Sequence, residues 1–210
     1  MIELKNVRKS FDDRVLYENL NLTIPDGEFA VLIGASGCGK TTLLDMIAGI
    51  EPIDSGEVLV DGVNILKRKN RLAYYQTKLG MCFQNFALIE NMTVRRNLEL
   101  VQKKSRSEMS IDDALRRVGM TDYLEKTVCT LSGGEQQRIA LARLMVKKCS
   151  IVLADEPTGS LDADNAAKVM AILSDLNAMG KTVVMVTHDT KYQDIGTRQI
   201  DLMTKAFSYA

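Results

Sequence analysis

The chain has no excess of charge of either sign: 27 Lys and Arg offset 27 Asp and Glu over 210 residues. Duplex nucleic acid is held largely by neutralising its phosphates, which calls for a concentrated basic face, so no nucleic-acid partner is expected. The basic clusters are short, Lys67-Arg68-Lys69 with Arg71 and Lys103-Lys104 with Arg106. Each reads as solvated surface or as a contact for lipid headgroups or a partner. Long apolar runs are also missing. Phe29 to Ile33 is typical, far below the ~20 residues that cross a bilayer. The start, Met1-Ile2-Glu3-Leu4-Lys5, lacks signal-peptide character. Cys38, Cys82, Cys129 and Cys149 show no CxxC spacing, which argues against zinc or a disulfide framework. These absences lead to the expectation of a soluble, reduced, cytosolic protein. With no internal repeat and no Gly/Ser linker, the length suits one α/β domain carrying an inserted lobe.

What is present is ordered. Ile2 to Val7 and Asn19 to Ile24 alternate as half-exposed antiparallel strands do. Glu57 to Ile65, with Asp61-Gly62 at its centre, is a hairpin signal. Glu28 to Gly34 is an apolar run, and Lys40 to Ala48 reads as a helix that Gly49 ends. Leu79 to Phe83, Ser150 to Ala154 and Thr182 to Thr187 read as buried strands. Between the last two, Asp164 to Met179 has helical spacing and stops at Gly180. Strand, helix, strand implies a parallel, right-handed unit. The stretch 91–146 reads mostly as helix, over Val94 to Val101, Ile111 to Val118, Thr121 to Glu125 and Gly133 to Val146. The expected divisions are a core of about 1–84 and 147–210, with a helical lobe of about 85–146.

Three segments carry chemistry. The first is a phosphate loop, Gly34, Ala35, Ser36, Gly37, Cys38, Gly39, Lys40 and Thr41, followed by Thr42. Its glycines let backbone amides converge on oxygens, and the following helix aims its unpaired N–H groups at the same anion. In such a loop the lysine reaches the β- and γ-phosphates and the Thr41 hydroxyl ligates Mg²⁺. Cys38 is a small filler there, and its alkylation is expected to block nucleotide by bulk. The second segment is the apolar strand ending in Asp155 and Glu156, at the edge where open α/β sheets place ligands. The third is Ser132-Gly133-Gly134-Glu135, a capping box ahead of a helix. It reads as a well-capped helix, and Gly133 and Gly134 can also leave the helix end open as an anion site; both can hold, since the two use the same orphan amides.

The ordered trio, from the glycine loop through Leu131 to Arg138 to Asp155-Glu156, resembles the ATP-binding cassette (ABC) ATPases, and the resemblance runs from about Met1 to Asp201. It implies an α/β P-loop NTPase core with a small antiparallel β subdomain and an inserted α-helical subdomain. It also implies an ATPase with ATP and Mg²⁺ bound. By the same resemblance Asp155, Thr41 and Gln84 attend the metal, Glu156 is the general base, and the lone histidine, His188, bonds the γ-phosphate. Phe11 stacks on adenine, with core packing as its rival reading. Ser132, Gly133 and Gly134 bind the ATP held by a second copy, and Ser160-Leu161-Asp162 crosses that interface. The stretch Thr127 to Thr130 departs from relatives that carry proline or charge there.

The partners so implied are a second ATPase subunit, as a homodimer, and a transmembrane permease. The permease is received around Phe86, Leu88, Ile89 and Met92, which places the chain at the cytoplasmic face of the inner membrane, peripheral through the permease. The compact length, with few residues after His188, looks most like the MacB/LolD/FtsE-type branch, with a MacB/FtsX-like permease and peptide, lipoprotein or antimicrobial export or mechanotransmission. The competing reading is a soluble ABC ATPase of an assembly system such as iron–sulfur cluster biogenesis.

Overall fold

The computed structural model describes residues 1–203. Residues 204–210 of the expected core range lie outside the described residues. Strands β1 (Ile2–Phe11) and β2 (Arg14–Ile24) form a hairpin that turns at Asp12 and Asp13. With β4 (Ser55–Val60) and β5 (Val63–Asn64) they make an antiparallel sheet in the order β2-β1-β4-β5. Both hairpin strands are longer than their alternating segments suggested, so Phe11 ends β1 beside the turn.

The second sheet is built from β3 (Phe29–Ile33), β6 (Leu79–Cys82), β7 (Ile151–Asp155), β8 (Thr182–Val186) and β9 (Arg198–Asp201). Its order is β6-β7-β8-β3-β9, and every pair is parallel. Period-2 alternation splits these strands between two cores. Ala30, Leu32, Ile151, Leu153 and Val184 face the antiparallel sheet and α1 (Lys40–Ala48). Phe29, Val31, Val152, Ala154 and Val183 face the other way, onto α5 (Gly133–Val146) and α6 (Ala163–Ala178). The central strands therefore read as unbroken apolar runs because both faces are covered.

Between β6 and β7 lie α3 (Val94–Glu99), α4 (Ile111–Arg117) and α5. Val94, Leu98, Ala114 and Leu115 belong to the same buried cluster as Val152 and Val183, so this helical stretch shares the core of the parallel sheet. Thr121 to Glu125, expected to be helical, is a single 3₁₀ turn over Thr121–Tyr123. Two elements were not anticipated. One is α2 (Arg68–Thr77), where only Tyr74 is buried; the basic cluster around Arg68 decorates this helix. The other is β9, an edge strand with one buried residue, Ile200.

Candidate functional site

Four adjacent strand ends converge. β3 runs into the glycine loop, β7 delivers Asp155 and Glu156, β8 delivers Thr187 and His188, and β6 leads to Gln84. Parallel strands present all their carboxyl ends on one edge, which is where an open α/β sheet binds ligands. The loop is held from both sides. Lys40 Nζ donates to the Gly34 and Ala35 carbonyls at 2.8 and 3.0 Å. From β2, the Tyr17 hydroxyl donates to the Gly39 carbonyl at 3.0 Å and Arg14 donates to Gly37 O at 3.2 Å. Burial pushes the Tyr17 phenol well above its ordinary value, so it remains a donor. Gly39 caps α1 with φ 105°, and a Cβ there would lie 2.7 Å from the Tyr17 hydroxyl. Only glycine fits.

The residues present fit a nucleotide triphosphate. No side chain caps the first turn of α1, which leaves its amides and dipole directed at the loop. Beside it opens a cavity of about 680 Å³ lined by Phe11, Arg14, Ser36, Lys40, Thr41, Thr42 and Glu156. Phe11 is 46% exposed there, with Lys9 Nζ 4.3 Å from its ring centre. Its ring is exposed rather than part of the core, with Lys9 over one face. The Cys38 sulfur lies 4.0 Å from Lys40 Nζ and also borders a smaller cavity of about 290 Å³ with Tyr17 and Leu202.

Across the cavity, Thr41 Oγ1 donates to Asp155 Oδ1 at 3.2 Å, joining α1 to the end of β7. Burial raises the Asp155 carboxyl above its usual range; the Thr41 bond opposes this and the Glu156 charge adds to it. A desolvated carboxylate next to a hydroxyl suits a hard cation. Glu156 follows with φ 45°, a left-handed conformation that a non-glycine residue holds only under constraint. Its Oε2 sits 2.8 Å from His188 Nδ1 and accepts the His188 backbone N–H at 3.3 Å. The hydrogen bond and charge of Glu156 raise the His188 pKa. The Gln84 amide lies next to the turn after Glu156, 3.5 Å from where a Cβ on Gly159 would stand.

Ser132, Gly133 and Gly134 do not line this cavity. The Ser132 N–H donates to Glu135 Oε2 at 2.8 Å and the Glu135 N–H donates to Ser132 Oγ at 3.4 Å, closing the expected capping box. The two glycines differ. A Cβ on Gly134 would stand 2.6 Å from Asn165 Oδ1, whereas on Gly133 it would meet only Phe86 at 3.5 Å and Leu161 at 3.8 Å. Gly134 is therefore required by the packing of α6, and Gly133 faces outward.

A family profile described as "ABC transporter" matches residues 17–159. The chain belongs to the ABC transporter ATPases. It is an ATP-binding subunit that hydrolyses ATP in transport. The chain is 37% identical over 201 residues to the uncharacterised ABC transporter ATP-binding protein YvrO of Bacillus subtilis, covering 90% of this chain and 87% of that one. It is 41% identical over 194 residues to the Fe(3+) ions import ATP-binding protein FbpC of Fusobacterium nucleatum, covering 90% of this chain but only 51% of that protein. Among solved structures, the dimeric ABC transporter cassette MJ0796 superposes with a TM-score of 0.83 at 36% identity, over 96% of this chain and 94% of that one. The same cassette in a post-hydrolysis state bound to ADP and Pi gives 0.81 at 33% identity, with the same coverage.

In the stretch expected to receive a permease, Phe86 lies against Gly133 and Leu88 packs on the core, while Ile89 is exposed. A separate apolar groove of about 690 Å³ is lined by Ile50, Leu72, Tyr75, Leu100, Arg143 and Lys147. Arg143 donates to Ala87 O at 2.7 Å and Lys147 to Leu79 O at 2.6 Å. Among the described residues neither has a carboxylate within ion-pair distance, and burial lowers the pKa of both. Sequence reasoning missed Arg14, Tyr17 and this groove. Arg14 and Tyr17 do follow Phe11 on the next strand, but their register was not legible before the hairpin was seen.

Proposed function

We propose that two copies of this chain close around two ATP molecules, each copy completing the other's site, and that the closure drives a separate membrane permease. One observation carries the reading. The phosphate loop and Glu156 line one cavity, with Asp155 bonded to Thr41 and His188 to Glu156, while the start of α5, at Ser132 and Gly133, lies outside it. Phe11 offers its face to adenine, and the loop amides with Lys40 hold the β- and γ-phosphates. Thr41, Asp155 and Gln84 would hold Mg²⁺, which when bound neutralises phosphate charge. Glu156 orients or deprotonates the attacking water, and His188 holds Glu156 and meets the γ-phosphate. The dimeric MJ0796 cassette supports the pairing.

The test mixes two inactive subunits. Lys40→Ala and Ser132→Arg are each expected to be inactive alone, yet a mixed dimer contains one site with both residues intact. Turnover should reappear on mixing. Silence of the mixture, with heterodimers demonstrated, would overturn the shared site.

The permease segment that fits the groove is a helix with an apolar face for Ile50, Leu72 and Leu100 and a carboxylate for Arg143 and Lys147. Such docking holds the protein at the inner face of the membrane; no helix among the described residues is long and apolar enough to cross one. We place the chain in the MacB/LolD/FtsE-type branch, serving export or mechanotransmission through a MacB/FtsX-like permease. Import is the second reading, favoured by the FbpC likeness and by a 39% identity to a spermidine/putrescine import ATP-binding protein of Spiroplasma citri. ATPase stimulation by a co-expressed permease of either class, with substrate flux measured in vesicles, decides between them.

A further inference from the structure

Gln137, on α5, is fully buried, and its Oε1 has no hydrogen-bond partner among the described residues. Its Nε2 donates to the carbonyl of Pro157 at 2.9 Å and approaches Cys82 Sγ at 3.2 Å. A buried acceptor without a partner is destabilising, so the side chain is poorly suited to a purely packing role. What it achieves is a directed bond to the carbonyl of the residue after Glu156, beside its contact with Cys82 at the end of β6. Glu156 is held at φ 45°, with its carboxylate 2.8 Å from His188 Nδ1. The same helix begins at Ser132, and Arg138 on it donates to Asn165 Oδ1 at 2.6 Å. Asn165 in turn donates to Asp162 Oδ2 at 2.6 Å. One rigid element therefore grips both the turn behind Glu156 and the segment entering α6.

We infer that Gln137 is a positioning residue for hydrolysis: through the Pro157 carbonyl it fixes the Glu156 turn to the helix whose start meets the partner's nucleotide. It touches no substrate, so it acts on the chemical step and not on ATP binding. This rests on the role given to Glu156 above. In Gln137→Met the side-chain volume stays and both the amide donor and the unpartnered oxygen go. The full-length protein should keep its melting temperature and its affinity for a fluorescent ATP analogue, hold KM, and lose about tenfold in kcat, as displaced catalytic groups do.

The deciding measurement is a double-mutant cycle with Glu156→Gln. If Gln137 works through Glu156, Gln137→Met should cause no further loss of the residual turnover of Glu156→Gln. An equal proportional loss in both backgrounds, a rise in KM with kcat unchanged, or full kcat in Gln137→Met overturns the inference. Gln137→Asn keeps an amide but draws it back from Pro157, and it is judged by the same cycle if the Met variant does not fold. Near-normal turnover of Glu156→Gln alone would overturn the role of Glu156 and this inference with it. An additive cycle overturns only the inference, so the two failures are told apart.

Discussion

Two ends of this molecule handle their exposed helix amides in opposite ways. At α1 the first turn has no side-chain cap, and the loop before it is braced from behind by Tyr17 and Arg14. At α5 the capping box of Ser132 and Glu135 is closed within the chain. An uncapped helix end beside a polar cavity is a site awaiting an anion; a capped one has its own partners and needs none to be stable. Under the proposed pairing, half of a binding surface is stored on each folded subunit. The α5 end is stable alone because Glu135 and Ser132 satisfy each other, and it keeps a free face because Gly133 carries no side chain.

The largest effect should come from the cavity side. Glu156→Gln is expected to lose ~10²–10⁴-fold in turnover, the usual worth of a positioned base, while still binding ATP. Size-exclusion chromatography with ATP should then show a dimer, and near-normal turnover would remove Glu156 from its role. Next come the two glycines. Gly134→Ala forces a methyl against Asn165 and should destabilise by ~1–3 kcal/mol, in the range of overpacked sites. Gly133→Ala has room and should melt close to the parent protein while losing turnover. Equal melting temperatures would show that α6 yields at Asn165. Ser132→Ala removes one arm of the capping box, at a cost of about 1 kcal/mol read from denaturant unfolding.

Smaller effects test the electrostatics. Burial raises the Asp155 carboxyl, so its charge lowers stability at neutral pH. Protonation recovers that stability as pH falls through the raised value, and Asp155→Asn should therefore raise the melting temperature while ATPase activity collapses. An unchanged or lower melting temperature would show that the Thr41 bond outweighs desolvation. His188 shifts in the sense opposite to a lone buried histidine. Glu156 raises its pKa, so the pair's contribution is complete below the ordinary value of 6.5 and disappears as pH rises through the raised value. Because the His188 side chain is 72% exposed, the effect on folding is slight. The NMR titration midpoint of its ring should lie above 6.5 and return toward it in Glu156→Gln.

Legibility followed locality. The glycine loop and α1, the apolar strand ending in two acids, and the capping box each complete their pattern within a few residues, and each lies where its spacing implied. α2 escaped because a surface helix with one buried residue, Tyr74, offers no apolar stripe. β9 escaped because an edge strand with only Ile200 buried has almost no period-2 signal. The turn at Thr121–Tyr123 was over-read as a helix, since one polar turn carries helical residue types without the length to nucleate. Gln137 is invisible in sequence: it sits in a polar stretch beside Gln136, and nothing local distinguishes the one that reaches Pro157 from the one that stays at the helix start.

Residue order alone therefore determined the kind of chemistry. A glycine loop opening a helix and a strand ending in two acids arise from short-range geometry that the backbone imposes on contiguous residues. Tertiary structure decided the partnerships: which glycine is needed for packing, where the apolar groove opens, and which glutamine reaches Pro157. Those outcomes depend on strand register and on which helix faces meet, and residues distant in the chain settle them only when the two cores close on the parallel sheet.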